Sequence, residues 1–165
     1  MGDVRIRPVG EPGDLGWMVL AHGEIYHREY GWDGAFEELV ARIVGEYATD
    51  RDPELEQAWV AEVDGDRAGC VMCMRGRDPG FAQLRILLVD PRHRGLGIGA
   101  ALVERCVDFA RNAGYRRISL WTNDVLASAR KIYEAAGFVL VEEEPHHRFG
   151  HGLVGQNWEL DLGAR

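Results

Sequence analysis

Three groups of residues in this chain have types and spacings suited to chemistry. The first runs Leu84-Arg85-Ile86-Leu87-Leu88-Val89-Asp90-Pro91 and then Arg92-His93-Arg94-Gly95-Leu96-Gly97-Ile98-Gly99: an apolar strand, a basic corner and alternating glycines that open a helix. A helix N-terminus carries backbone N–H groups without partners and a partial positive charge, so it can hold a pyrophosphate wherever no Cβ blocks the approach. Gly95, Gly97 and Gly99 remove those Cβ atoms, and Arg92, His93 and Arg94 add donors and charge. The second group, Asn123, Ala129, Tyr133, Gly137 and Phe138, follows one strand and one helix later. The third is titratable and aromatic: His22, Tyr26, Glu29, Tyr30 and Trp32 early in the chain, and His146, His147 and His151 late in it.

Spacing separates the glycine motifs that could be present. A P-loop needs Gly-x-x-x-x-Gly-Lys followed by Ser or Thr, whereas this helix continues Ala100-Ala101-Leu102 with no lysine. The dinucleotide fingerprint Gly-x-Gly-x-x-Gly is closer, with Asp124 at a tolerable distance downstream. However, these glycines run Gly-x-Gly-x-Gly behind a charged corner, and too little chain follows Gly99 for a doubly wound domain. The remaining pattern, Arg-x-x-Gly-x-Gly, is filled by Arg94, Gly97 and Gly99. On these residues the chain resembles the GNAT superfamily of acyl-CoA-dependent N-acetyltransferases. Asn123, Ala129, Tyr133, Gly137 and Phe138 match that family's second motif, Asn…Ala-x-x-x-Tyr-x-x-x-Gly-Phe, in order and spacing. Leu120-Trp121-Thr122-Asn123-Asp124 and Glu142-Glu143-Glu144-Pro145-His146-His147 also resemble acetyltransferase domains fused behind MarR-type regulators, without their winged-helix part.

The resemblance implies one GNAT-like domain over residues 1–165, and acetyl-CoA as co-substrate. Main-chain groups of Leu88 and Val89 would bind the pantetheine arm, and the amides of Arg94, Gly95, Leu96, Gly97, Ile98, Gly99 and Ala100 the pyrophosphate. Tyr133 matches the tyrosine whose hydroxyl approaches the thioester sulfur and protonates the departing thiolate. The same residue completes the apolar face Leu126-Ala129-Tyr133-Ala136, so packing also accounts for it. Asn123 matches a position that contacts the cofactor arm and equally suits a helix cap. Leu126 stands where many members carry a second asparagine.

Acetyl transfer to an amine needs a neutral nitrogen, a polarised thioester carbonyl and a proton for the leaving thiolate. Many family members carry a carboxylate base on the strand before the glycine loop, and Gln83-Leu84-Arg85-Ile86-Leu87-Leu88-Val89 contains none. Another group or a water chain must serve, and Glu29, His22, His146 and His147 are the candidates, histidine because it titrates near neutrality and could accept the proton through water. A solvated hairpin loop is the alternative for His146 and His147, and no metal-ligand spacing is complete, so no metal is expected. In this fold the segment 24–33 flanks the acceptor. His22, Tyr26, Tyr30 and Trp32 are therefore expected to wall that pocket, with Glu29 paired to a cationic amine. The acceptor is a small-molecule or peptide amine that attacks directly, since Cys106 lies on a buried helix stripe and is a poor nucleophile. A noncatalytic acyl-CoA-binding sensor or interaction domain on the same fold is the competing class.

The elements that must hold these groups follow from periodicity. Val4-Arg5-Ile6-Arg7 alternates as a strand, and Leu15, Met18, Val19, His22, Ile25 and Tyr26 recur as a helix ended by Gly31. Asp33 caps a second helix with Phe36, Leu39, Val40, Ile43 and Tyr47 on its face. Two strands joined at Asp64-Gly65-Asp66 make a hairpin. Strand 84–89, the glycine-led helix and strand 117–121 form a β-loop-α-β unit, followed by a helix over 125–136 capped by Asn123 or Asp124, then strands near 138–142 and 157–160. This order predicts one mixed α/β sheet with helices on both faces. The resemblance adds that the sheet is mostly antiparallel with a splayed central pair. Cys70-Val71-Met72-Cys73 lies in a strand, where residues three apart face opposite sides, so these thiols are expected to pack rather than form a redox or zinc pair.

Nineteen basic against 27 acidic residues give a net charge of −8, which opposes nonspecific binding to nucleic acid. No apolar run approaches the roughly 18 residues of a membrane span, and Met1-Gly2-Asp3-Val4-Arg5 lacks a signal peptide's apolar core. A soluble cytoplasmic protein is expected, with no nucleic-acid or membrane partner and with a homodimer as a mild expectation.

Overall fold

The computed structural model describes residues 2–163. β1 (Val4–Pro8), β2 (Gln57–Val63) and β3 (Asp66–Arg75) form an antiparallel ladder. Asp64 and Gly65 turn β2 into β3 with φ of 51° and 86°, the left-handed pair that matches the twist of a two-residue hairpin. β4 (Phe81–Val89) runs antiparallel to β3. Its other neighbour is β5 (Arg117–Asn123), which it meets in parallel only where residues 81–83 face 117–119. Beyond Gln83 the two strands part. β5 continues into β7 (Leu153–Asp161) and β7 into β6 (Val139–His146), which gives the seven-strand order β1-β2-β3-β4-β5-β7-β6. The sheet is thus mixed and mostly antiparallel, with a splayed central pair.

Alternation along the strands sends side chains into two separate cores. Val60, Cys70 and Met72 pack under α1 (Asp14–Tyr30) and α2 (Gly34–Asp50), while Ala61, Val71 and Cys73 pack under α3 (Ile98–Asn112) and α4 (Ala127–Ala135). Cys70 and Cys73 therefore lie as free thiols in opposite layers. Gly31 ends α1 in the left-handed conformation, and Asp33 caps α2 by accepting from the Ala35 amide at 3.0 Å. The start of α1 is pinned by Asp14, 1% exposed, which takes both guanidinium nitrogens of Arg7 at 2.9 Å and the Arg67 Nε at 3.0 Å.

α4 departs from expectation. It begins at Ala127, its N-cap is Leu126, and neither Asn123 nor Asp124 caps it. Asn123 is still in the ladder with β7, and the Asp124 carboxylate accepts instead from the Val154 amide at 3.0 Å. Both side chains are committed across the sheet before the helix begins. β6 also runs farther than expected, to His146, so that residue ends a strand and is not part of the connecting loop. Among the described residues no helix is long and apolar enough to cross a membrane.

Candidate active site

The splay opens a cleft between β4 and β5, and a bulge in β4 shapes it. The register jumps from Met72 opposite Arg85 to Cys70 opposite Leu88, so Val71 faces two residues, Ile86 and Leu87. Ile86 sits at φ 47°, a left-handed conformation costly for a β-branched residue. Its consequence is directional: Leu84 packs toward α3, yet Ile86 packs toward α1 and α2, so Arg85 and Ile86 both serve the same side of the sheet.

Two cavities meet in this cleft, sharing Tyr26, Leu87, Leu126 and Ala129 as walls. The first holds about 110 Å³, room for an organic group, beneath α1 and α2. His22, Tyr26, Trp32, Asn123 and Tyr133 line it. The second runs past Glu29, Tyr30, Leu88, Val89 and Arg94 toward the glycine loop. Leu88 itself is buried at 2%, so it offers its main chain, not its side chain.

The glycines of the loop divide their work. Gly95 and Gly97 have φ of 86° and 75°, and a Cβ on either would meet nothing within 4 Å, so their conformations need glycine while the space before α3 stays open. Gly97 is the N-cap of α3, which leaves the first-turn amides of Ile98, Gly99 and Ala100 at a bare helix N-terminus. Gly99 is different from the expectation that it clears an approach for phosphate. It is buried, and a Cβ there would lie 2.7 Å from the Ile132 Cδ1, so its absence lets α3 and α4 pack closely. The Ile98 side chain is likewise core, 2% exposed. An open, Cβ-free helix N-terminus continuous with an apolar channel suits a pyrophosphate with a long acyl-carrying arm.

The titratable groups are less free than their positions in sequence suggest. Glu29 forms a two-pronged ion pair with Arg94, at 2.6 and 2.9 Å, joining α1 to the glycine loop; it is not open to an incoming amine. His146 Nδ1 accepts from the Arg148 amide at 3.1 Å, which leaves Nε2–H to donate to the Asn123 Oδ1 at 2.7 Å. Both ring nitrogens are used, and burial holds the imidazole below its usual pKa. His147 is exposed and lines neither cavity. His22, 2% exposed, gives its Nδ1 proton to the Met18 carbonyl at 2.7 Å, and its Nε2 is enclosed without a partner. Burial lowers its pKa to about 4, so it is neutral near pH 7. Tyr133, 4% exposed, lies in the first cavity, where burial raises its pKa and keeps the hydroxyl protonated. Tyr30 lies at the second cavity and Trp32 is sealed at 2% within a cluster that includes Tyr26, Phe36 and Phe149. Among the described residues no group of three His, Cys, Asp or Glu side chains is arranged to hold a metal.

Residues 19–138 match the acetyltransferase (GNAT) family. The chain belongs to that family. It is 34% identical over 144 residues to the mycothiol acetyltransferase of Beutenbergia cavernae, an alignment that takes in 85% of this chain and 46% of that protein. The chain thus spans about half the length of that relative. An uncharacterized N-acetyltransferase of Schizosaccharomyces pombe is 27% identical over 145 residues, covering 88% of each. Among solved structures, yncA of Salmonella typhimurium, determined with its cofactor acetyl-CoA, superimposes with a TM-score of 0.76 at 18% identity, over 99% of this chain and 96% of that one.

Within this GNAT site, sequence reasoning passed over Arg85, Gln83 and Trp121, all of which line the first cavity. The strand 84–89 is nearly all apolar, and the lone arginine in it was the available signal: a charge inside a buried strand needs a partner.

Proposed function

We propose that this protein transfers the acetyl group of acetyl-CoA to a primary amine by direct attack, without an acyl-enzyme. The observation that carries the reading is the junction of the two cavities. A channel from the glycine loop, flanked by Leu88, Val89 and Arg94, opens beside Tyr133 into a pocket large enough for an acceptor. Here the loop amides from Arg94 to Ala100 hold the pyrophosphate, and Asn123, fixed by His146, borders the thioester.

In the reaction the amine nitrogen forms a bond to the thioester carbon, and the C–S bond breaks. The proton lost by nitrogen equals the proton gained by sulfur, so no net base is consumed once the amine has bound neutral. Tyr133 supplies its hydroxyl proton to the departing thiolate and recovers one from the nitrogen through water. Glu29 positions Arg94 against the cofactor, and Tyr26, Tyr30 and Trp32 form the aromatic wall between the two substrates. We read residues 1–165 as one such acetyltransferase unit.

A noncatalytic acyl-CoA sensor is favoured by one feature, the lack of a carboxylate on β4. Release of CoA, followed with a thiol reagent against a panel of primary amines, separates the two. The transferase reading expects CoA release and an N-acetylated product by mass spectrometry. It expects Tyr133→Phe to lower kcat about 10²-fold while acetyl-CoA still binds. Binding of acetyl-CoA with no turnover on any amine would favour the sensor.

A further inference from the structure

The first cavity is lined by rings, aliphatic side chains and a few neutral polar groups, and among the described residues only one charged side chain joins them. That residue is Arg85. No carboxylate lines the cavity with it. The charge that acts on the guanidinium is Glu46, exposed on α2, and among the described residues Arg85 forms no ion pair. A fully buried arginine makes the contrast: Arg7 has Asp14, Glu62 and Glu11 around it. A half-buried guanidinium costs solvation that only an anion or several acceptors can restore, and arginine cannot escape by losing its proton. The β4 bulge aims Arg85 and Ile86 to the same side, into the pocket that Tyr133 serves, with the Gln83 amide two residues earlier along the strand.

We infer that Arg85 anchors a carboxylate of the acceptor, so that the substrate of this site is an amine that also bears a carboxylate, carried on an apolar or aromatic body. The inference rests on the transferase reading above. Its chemistry divides cleanly: the planar guanidinium takes the carboxylate by a two-pronged pair, the rings of Tyr26, Phe36 and Trp121 cover the body, and the amino nitrogen is left toward Tyr133 and the channel. A cation at this place also repels plain protonated amines, which adds selectivity by exclusion.

The test compares compounds differing only at the carboxylate. L-leucine and L-phenylalanine are assayed beside their amides and beside isoamylamine and phenethylamine, with wild type, Arg85→Met and Arg85→Lys. Binding of 4-methylpentanoate and 3-phenylpropanoate, which have no amine, is measured in parallel by calorimetry with CoA present. The expected result, with every rate referred to the concentration of neutral amine at the assay pH, is a kcat/KM for the free acids roughly ten- to a hundredfold above that for the amides. Arg85→Met erases that preference, lowering kcat/KM for the acids while raising it for the plain amines, and abolishes binding of the amine-free acids; Arg85→Lys restores part of both. Equal rates on acids and amides, or a loss in Arg85→Met that is the same for both, overturns the inference and leaves the transferase reading intact. Acids that bind through Arg85 while no amine is acetylated would uphold the carboxylate site and overturn the transferase reading instead. Acids that do not bind, with no preference in turnover, would refute the carboxylate site.

Discussion

In the proposed transfer Tyr133 is the donor, and among the described residues its hydroxyl makes no hydrogen bond to an acid or base. The four groups able in principle to take a proton from the acceptor are each engaged or removed: Glu29 by Arg94, His146 by Asn123 and Arg148, His147 by its exposure, His22 by enclosure and a lowered pKa. Under the proposed mechanism the ionisation that governs rate near neutrality is then the amine's own. The logarithm of kcat/KM is expected to rise with a slope of about 1 per pH unit up to the pKa of the amine, and to move with that pKa when amines are exchanged. Glu29→Gln and His146→Gln should keep this slope even where they lower the rate. A profile that flattens in one of them would identify that residue as the base. One side chain expected to pair with the acceptor is engaged elsewhere: Glu29 joins the glycine loop to α1, whereas Trp32 lines the first cavity with its ring packed on Tyr26, Phe36 and Phe149.

At the level of elements, α3 and α4 meet through a residue with no side chain. A methyl group on Gly99 would stand 2.7 Å from the Ile132 Cδ1, and Ile132 also walls the channel toward the glycine loop. Because the obstructing atom is the free end of an isoleucine, Gly99→Ala is accommodated by swinging that side chain into the channel. Equilibrium dialysis or calorimetry is expected to show acetyl-CoA binding weakened several-fold, at a stability cost of roughly 1–3 kcal/mol. An unchanged affinity with the full stability loss would mean that the helices separate instead. This device was half legible in the sequence. The spacing Arg94, Gly97, Gly99 marks a glycine-led helix because positive φ at Gly95 and Gly97 is a local demand that composition records. That Gly99 answers to Ile132 depends on how two helices cross, which no local pattern encodes. The same division holds across the sheet. Period-2 and period-3.6 patterns located nearly every strand and helix. The parting of β4 from β5 after Gln83, the bulge that turns Arg85 into the cavity and the reach of His146 to Asn123 arise from pairings over long separations. The cap of α4 failed for that reason too, since Asn123 and Asp124 were claimed by partners 23 and 30 residues away.

Across the whole molecule, two buried titratable groups of α1 respond to acid in separate windows. Between α1 and the sheet lies His22, 2% exposed, neutral in the native state with a pKa of about 4, whereas the unfolded chain takes up its proton near the ordinary 6.5. The unfolded state then binds more protons across that interval, so stability is complete above about pH 6.5 and falls as pH drops toward 4, by about 3 kcal/mol. His146 adds a smaller loss of the same sign, reduced by its solvent contact. Asp14 acts in a lower window. Its carboxyl is held well below the usual range by Arg7, by the Gly10 and Glu11 amides and by Arg67, so its contribution persists until pH falls below about 4 and then drains away. Two acid transitions with separate causes are expected on the α1 side of the sheet, the first from the imidazole that lines the first cavity and the second from the ion pairs that pin the start of α1. Urea unfolding of wild type and His22→Leu at pH 7.5, 6, 5 and 4 distinguishes them. Replacing the imidazole removes a hydrogen bond to Met18 and costs stability at every pH, but it also removes the titrating group, so the variant's stability should change much less between pH 6.5 and 4 than that of wild type. If the two chains fall in parallel through that interval, the proton is taken up elsewhere. If they converge toward pH 4, the core over the acceptor cavity is the part of the molecule that acid loosens first, and acceptor binding should weaken there before cofactor binding does.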